Sequence, residues 1–158
     1  MTTEIRRIEP GDVDAVVALL AEPGVREWWG ETTADDVRED LGTAFVVLVG
    51  GDIGGYLQVD EKTEEEWRQV AFDIALADRF QGQGHGRAAL RLAVRHFAAR
   101  GHHRFTIDPA IDNERAIRSY AAVGFKPVGV LRKASKLSHE AEYGDDLLMD
   151  LLVEELTA

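Results

Sequence analysis

The run Gln81-Gly82-Gln83-Gly84-His85-Gly86 carries the plainest chemical signal in the chain. Before it, Phe72, Ile74 and Leu76 alternate with Asp73 as in a half-buried strand. After it, Leu90, Ala93, Val94 and Phe97 recur at helical spacing. Glycines allow unusual dihedrals and a close backbone approach. A helix start adds unpaired N–H groups at the positive end of the dipole. Strand, glycine turn and helix in that order can therefore hold a phosphate without any side chain. Two familiar phosphate loops do not fit. No Lys-Ser or Lys-Thr follows the last glycine, and the third glycine of the dinucleotide fingerprint is not at its distance. A turn that only joins strand to helix would share these glycines, so the rest of the chain has to decide.

The elements around that run follow from periodicity and punctuation. Glu4–Ile8 predicts a short strand, and Pro10-Gly11-Asp12 opens a helix through Leu20, with Asp12 as N-cap and Pro23-Gly24 as its end. The adjacent Trp28 and Trp29 then fall in a loop between helices, where one ring can pack while the other lines a ligand site. Thr33–Leu41 predicts an acidic helix capped by Thr33. Ala44–Val49 and Ile53–Val59 predict a hairpin around Gly50-Gly51-Asp52, followed by a charged loop, Asp60–Arg68. Gln69–Ala77 is the strand that enters the glycine turn, and Gly101 stops the helix that leaves it. Arg104–Ile107 predicts a strand, and Asn113–Val123 a helix with Ala116, Ile117, Tyr120 and Val123 on one stripe. Lys126–Leu131 and Asp146–Val153 complete the order β α α β β β α β α β β. Residues 1–158 are expected to form one domain, since no linker or repeat interrupts them.

Charge is distributed unevenly. The net charge is −11, yet residues 70–133 carry 11 Lys and Arg against 5 Asp and Glu. Residues 1–69 carry 6 against 17, and residues 134–158 carry 1 against 7. A basic centre between acidic flanks suits an anion at the middle and a cation at the walls. Nucleic acid is a poor partner for so acidic a surface. No signal peptide and no long apolar run is present, so no membrane role and a cytoplasmic location are expected. Cysteine is absent, and the 5 histidines show no metal-ligand spacing.

With these elements in place, Gln81-x-x-Gly84-x-Gly86 resembles the acetyl-CoA pyrophosphate loop of the GCN5-related N-acetyltransferases (GNAT). Asn113-x-Arg115-Ala116-Ile117-x-x-Tyr120-x-x-x-Gly124-Phe125 resembles the second cofactor segment of that family. The resemblance spans nearly the whole chain. It implies an α/β (α+β) GNAT fold, a twisted, mostly antiparallel mixed sheet of about seven strands with four helices. More narrowly, Glu27-Trp28-Trp29, Asp73 and Thr106-Ile107-Asp108-Pro109 resemble aminoglycoside 6'-N-acetyltransferases. His85 stands where the family usually has an aliphatic residue.

The resemblance implies a division of labour. Backbone N–H groups from Gln81 through Gly82, Gln83, Gly84, His85 and Gly86 hold the pyrophosphate of acetyl-CoA, with Arg79 and Arg87 adding charge and Asn113 meeting the pantetheine arm. Asp73 takes a proton from the attacking ammonium, and Tyr120 meets the departing sulfur of CoA. Asp108 matches a substrate-binding aspartate, and Trp28 or Trp29 offers an apolar wall to sugar rings. The implied activity is acetylation of a cationic small molecule, foremost the 6'-amine of aminoglycoside antibiotics. Acylation of a lysine-like or siderophore amine, acetylation of a protein or peptide amine, and a non-catalytic acyl-CoA sensor are the alternatives. A sensor needs neither Asp73 nor Tyr120. The assembly is expected to be a monomer or a homodimer, the last strand being a candidate for pairing between subunits.

Overall fold

Each predicted strand joins one sheet in the computed structural model, which describes Met1–Ala158. The strands are β1 (Thr3–Arg7), β2 (Phe45–Val49), β3 (Asp52–Lys62), β4 (Gln69–Leu76), β5 (Arg104–Ile107), β6 (Lys126–Ser135) and β7 (Gly144–Leu152). Their order across the sheet is β1-β2-β3-β4-β5-β7-β6. All neighbours are antiparallel except β4 and β5, which are parallel. The last strand, β7, lies between β5 and β6 and has no free edge. It is therefore not the candidate for pairing between subunits that its terminal position suggested.

Five α-helices accompany the sheet, one more than the sequence predicted: α1 (Val13–Leu20), α2 (Pro23–Trp29), α3 (Ala34–Glu39), α4 (His85–Ala98) and α5 (Glu114–Val123). The extra helix is α2. Pro23 does not stop α1 but starts α2 from its first turn, where a missing N–H costs nothing and the fixed φ helps. Trp28 and Trp29 thus occupy a last helical turn rather than a loop. Asp12 does not cap α1. It is buried instead, accepting from Arg6 at 2.7 and 3.0 Å and from the Glu9 N–H at 2.8 Å. Thr33 does cap α3, in a reciprocal pair with Asp36. The strand β3 runs on into the charged segment as far as Lys62.

Packing explains how these elements hold a cleft. On α4, Ala89, Leu90, Ala93, Val94 and Phe97 are wholly buried, and Phe97 meets Phe45 and Phe72 across β2 and β4. Each large side chain buried this way contributes about 1.5–3 kcal/mol, so α4 is firmly fixed to the sheet. The helices α1–α3 cover the other part of the core through Val16, Leu20, Val37, Val46 and Tyr56. The weak place is the parallel pair. Only Val70↔Phe105 and Ala71↔Thr106 are in register, although β4 continues to Leu76. Beyond Ala71 the strands part, and a wedge opens at their carboxyl ends, where α4 and α5 begin. Open α/β sheets bind ligands in such crevices. No helix is long and apolar enough to cross a membrane.

Candidate active site

One wall of the wedge is backbone. A short 3-10 turn (Asp78–Phe80) follows β4, and Gly82 (φ +75°) and Gly84 (φ +87°) then take left-handed conformations that set the start of α4. From Gly82 through Arg87, no N–H finds an acceptor within the protein. A run of unpaired donors at the head of a 14-residue helix fits a pyrophosphate well. A Cβ on Gly82 would lie 2.6 Å from the Arg115 guanidinium, and one on Gly86 3.3 Å from Leu76, whereas one on Gly84 would meet nothing within 4 Å. The loop is pinned on one side and open on the other.

Side chains brace this loop from behind. Gln81 donates to the Leu76 carbonyl at 3.0 Å and accepts from Arg115 at 3.3 Å, joining β4, the turn and α5. Gln83 donates to the Arg79 carbonyl at 2.8 Å. His85 turns inward. Its Nδ1 is 2.9 Å from Thr3 Oγ1 and its ring stands edge-on to Phe80, so only its backbone belongs to the wedge. The imidazole thus ties α4 to β1, where an aliphatic residue could only pack. Arg79 lies over Phe80 at 4.5 Å, outside the cavity wall.

The wedge encloses a cavity of about 640 Å³. It gathers Gln81, Gly82, Gln83, Gly84, Gly86, Arg87 and Asn113 with Tyr120, Trp28 and Trp29. Asn113 caps α5 by accepting the Ala116 N–H at 3.3 Å and lines the cavity as well. Arg115, Arg118 and Ser119 of α5 also line it; the two arginines fall in the segment that resembles the family's second cofactor segment, but sequence reasoning assigned none of the three a role of its own. The basic balance of residues 70–133 is the signal that could have found the two arginines.

Asp73 and Asp108, which the sequence placed in the site, are not among the residues lining this cavity but stand beside it with a third carboxylate. Asp73 on β4 keeps contact with solvent although protein crowds its carboxyl. Burial is the first reason its carboxyl is pushed up to about 7; the Asp108 and Asp146 carboxylates add to the rise, and the Ile74 N–H opposes it. Asp108, just past β5, is raised by burial and by Asp146. Asp146 on β7 is buried and accepts from Ser135 Oγ at 3.0 Å; burial raises it too. The Tyr120 hydroxyl is raised by burial and then by Asp73 and Asp108, so it lies within reach of both charges. Asp146 is the carboxylate the sequence did not single out.

The helix α2 closes the cleft. Trp29 packs on Tyr56 with centroids 5.9 Å apart, and Trp28 remains 42% exposed. Glu22 accepts the Asp78 N–H at 2.7 Å, and Asp78 accepts the Gly24 N–H at 3.3 Å. Asp78 Oδ1 also lies 3.4 Å from Gln81 Nε2. This clasp joins the tryptophan wall to the glycine loop, and neither Glu22 nor Asp78 stood out in the sequence.

An anion cradle at a helix start, with acids near the same cavity, suits an enzyme that moves a group from an anionic donor. Residues 13–125 match the model of the acetyltransferase (GNAT) family, and the chain belongs to that family. It is an N-acetyltransferase that uses acetyl-CoA. Solved structures agree on the fold. RimJ of Mycobacterium smegmatis in complex with CoA-disulfide superposes with a TM-score of 0.84 at 22% identity, over 99% of this chain and 84% of that one. Spermidine N-acetyltransferase of Vibrio cholerae in complex with CoA and spermine gives 0.82 at 23%, over 97% and 96%. AAC(6')-Ib in complex with ribostamycin and coenzyme A gives 0.79 at 23%, over 98% and 96%.

Proposed function

We propose that the protein acetylates a primary amine of a polycationic small molecule, with the 6'-amine of aminoglycosides as the leading substrate. One observation carries this reading. The unpaired N–H groups of Gly82–Arg87 and the Tyr120 side chain belong to one cavity, and Tyr120 lies near enough to Asp73 and Asp108 to feel both charges. The anionic cofactor and a cationic acceptor thereby have separate binding groups. Trp28, half open at the rim, offers sugar rings a flat apolar surface. The Glu27-Trp28-Trp29 and Asp108-Pro109 motifs, which resemble those of aminoglycoside 6'-N-acetyltransferases, support the aminoglycoside choice; siderophore-type lysine N-acyltransferases share parts of the pattern.

Bound acetyl-CoA supplies a thioester carbonyl open to attack by a neutral amine, with a thiolate leaving. The chain's own groups prepare both partners. The N–H groups of Gly82–Arg87 hold the phosphates, and Arg87, Arg115 and Arg118 offset their charge. Asn113 and the unpaired edge of β4 offer donors and acceptors to the arm that reaches inward. Asp73 accepts a proton from the ammonium. A carboxyl near 7 is a far better match for that proton than one near 4. Tyr120, kept protonated by its surroundings, donates to the departing sulfur.

The test is thiol release from acetyl-CoA with kanamycin, spermidine, lysine and a lysine peptide. Release with kanamycin well above the others is the expected outcome. Turnover of lysine or the peptide alone would remove the aminoglycoside reading. Acetyl-CoA binding without turnover of any amine would leave an acyl-CoA sensor.

A further inference from the structure

Beside Asp73 lies a set of polar side chains with no part in the scheme above. Gln58 of β3 is the cross-strand partner of Asp73, so the two project from one face of the sheet as near neighbours. Asp40, which ends α3, accepts hydrogen bonds from both Tyr56 Oη and Gln58 Nε2, the latter at 2.9 Å. Tyr56 is wholly buried, and its hydroxyl is held well above its ordinary value by burial and by Asp40, so it stays a donor. An ionised carboxylate can only accept. Asp40 therefore takes the NH₂ end of the Gln58 amide, which leaves Oε1 as the end that can accept. A half-buried carboxylate thus orients a neutral acceptor next to the candidate base.

We propose that Gln58 Oε1 is a second acceptor for the substrate ammonium, and that Asp40 is the positioning residue that aims it. The inference rests on reading the Asp73 cleft as the amine site. An ammonium has three N–H donors. With one directed to Asp73 and one to Gln58, the nitrogen is held in a defined orientation as its proton leaves. Neutrality matters here. A glutamate at position 58 would face Asp40 and Asp73 together and add a third like charge to their surroundings. The amide takes a hydrogen bond from the ammonium without adding charge.

Two substitutions and their combination test this with kanamycin, or with spermidine where kanamycin is inert. Gln58→Met keeps the volume and removes the acceptor. Asp40→Asn keeps the shape but offers donor and acceptor alike, so the Gln58 amide is no longer forced one way. The amine KM should rise about tenfold in Gln58→Met, the size of one hydrogen bond to a charged group. It should rise roughly threefold to tenfold in Asp40→Asn, with the acetyl-CoA KM within about twofold of wild type in both. Because Asp40 acts through Gln58, the double variant should match Gln58→Met alone. An unchanged amine KM in Gln58→Met overturns the proposal, and so do single effects that multiply in the double variant. Gln58→Met decides the matter by itself if Asp40→Asn does not fold. A wild type inert to both amines fails at the earlier step and overturns the cleft reading, together with what rests on it.

Discussion

The two walls of the cleft are made of different materials. The cofactor wall is mostly backbone: consecutive N–H groups from Gly82 to Arg87, shaped by two left-handed glycines and braced by Gln81. The proposed amine side is made of side chains drawn from α2, β3, β4, the end of β5 and β7. A backbone site can be changed only by changing the fold around it, since any residue supplies an N–H. A side-chain site can be retuned one position at a time. Within this architecture the donor is therefore the fixed partner and the amine the variable one. Damage to one wall should leave the other intact, and that separation can be attacked from both sides.

The hardest blow falls on the amine wall. Asp73→Asn should lower kcat by about 10²-fold or more, the range for a lost general base, while calorimetric acetyl-CoA affinity stays near wild type. In the wild type, kcat/KM should climb as pH rises through about 7, where Asp73 loses its proton. Stability should move the other way. The folded protein keeps this proton up to about pH 7, whereas an unfolded aspartate releases it near 4. Folding therefore costs increasingly more between those pH values. Asp73→Asn removes that cost, so its Tm at pH 8 should exceed that of the wild type. A variant both inactive and less stable at pH 8 would make Asp73 a structural carboxylate instead.

The reciprocal blow is smaller. Gly84→Val places a β-branched side chain at φ +87° and into space open for at least 4 Å. Acetyl-CoA affinity should fall roughly tenfold to a hundredfold, the loss of one charge-assisted hydrogen bond. Binding of the amine, followed by calorimetry, should change little. Equal losses in both would show that the loop and the tryptophan helix are one cooperative unit, joined through the Asp78–Gln81 contact.

The same contrast explains what could be read from sequence. The glycine loop is contiguous, and its meaning lies in local spacing, so strand, turn and helix were legible at once. Asn113 and Tyr120 were legible because one helical face presents both. The helix α2 was not, because Pro-Gly ends helices and Pro also begins them. Asp146 and Gln58 carry no local mark. Asp146 reaches the site because β7 threads between β5 and β6, and Gln58 meets Asp73 through cross-strand register. Such pairing over long separations has no signature in either segment alone. His85 looked like part of the loop, and only the fold shows that β1 receives its ring.

The smallest expected effect is also the one that best separates the acids from one another. Asp108 does two things to the cleft: it adds negative potential for a cationic amine and it raises Asp73. Asp108→Asn should therefore move two quantities in opposite senses. The KM for kanamycin should rise a few-fold, because one attractive charge is gone. The pH at which kcat/KM reaches half its plateau should fall, because Asp73 loses a neighbour that held its proton. Salt tells the same story by another route. Screening over a Debye length of about 8–10 Å near physiological ionic strength weakens the pull on the amine. The wild-type KM should rise with salt, and that rise should flatten in the variant. The acetyl-CoA KM should follow neither change, since the cradle of N–H groups stands on the other wall. A rise in amine KM without the fall in half-plateau pH would mean that Asp108 touches the substrate but not the base. A fall in that pH with KM unchanged would mean that Asp108 tunes Asp73 and leaves the capture of the amine to Asp146.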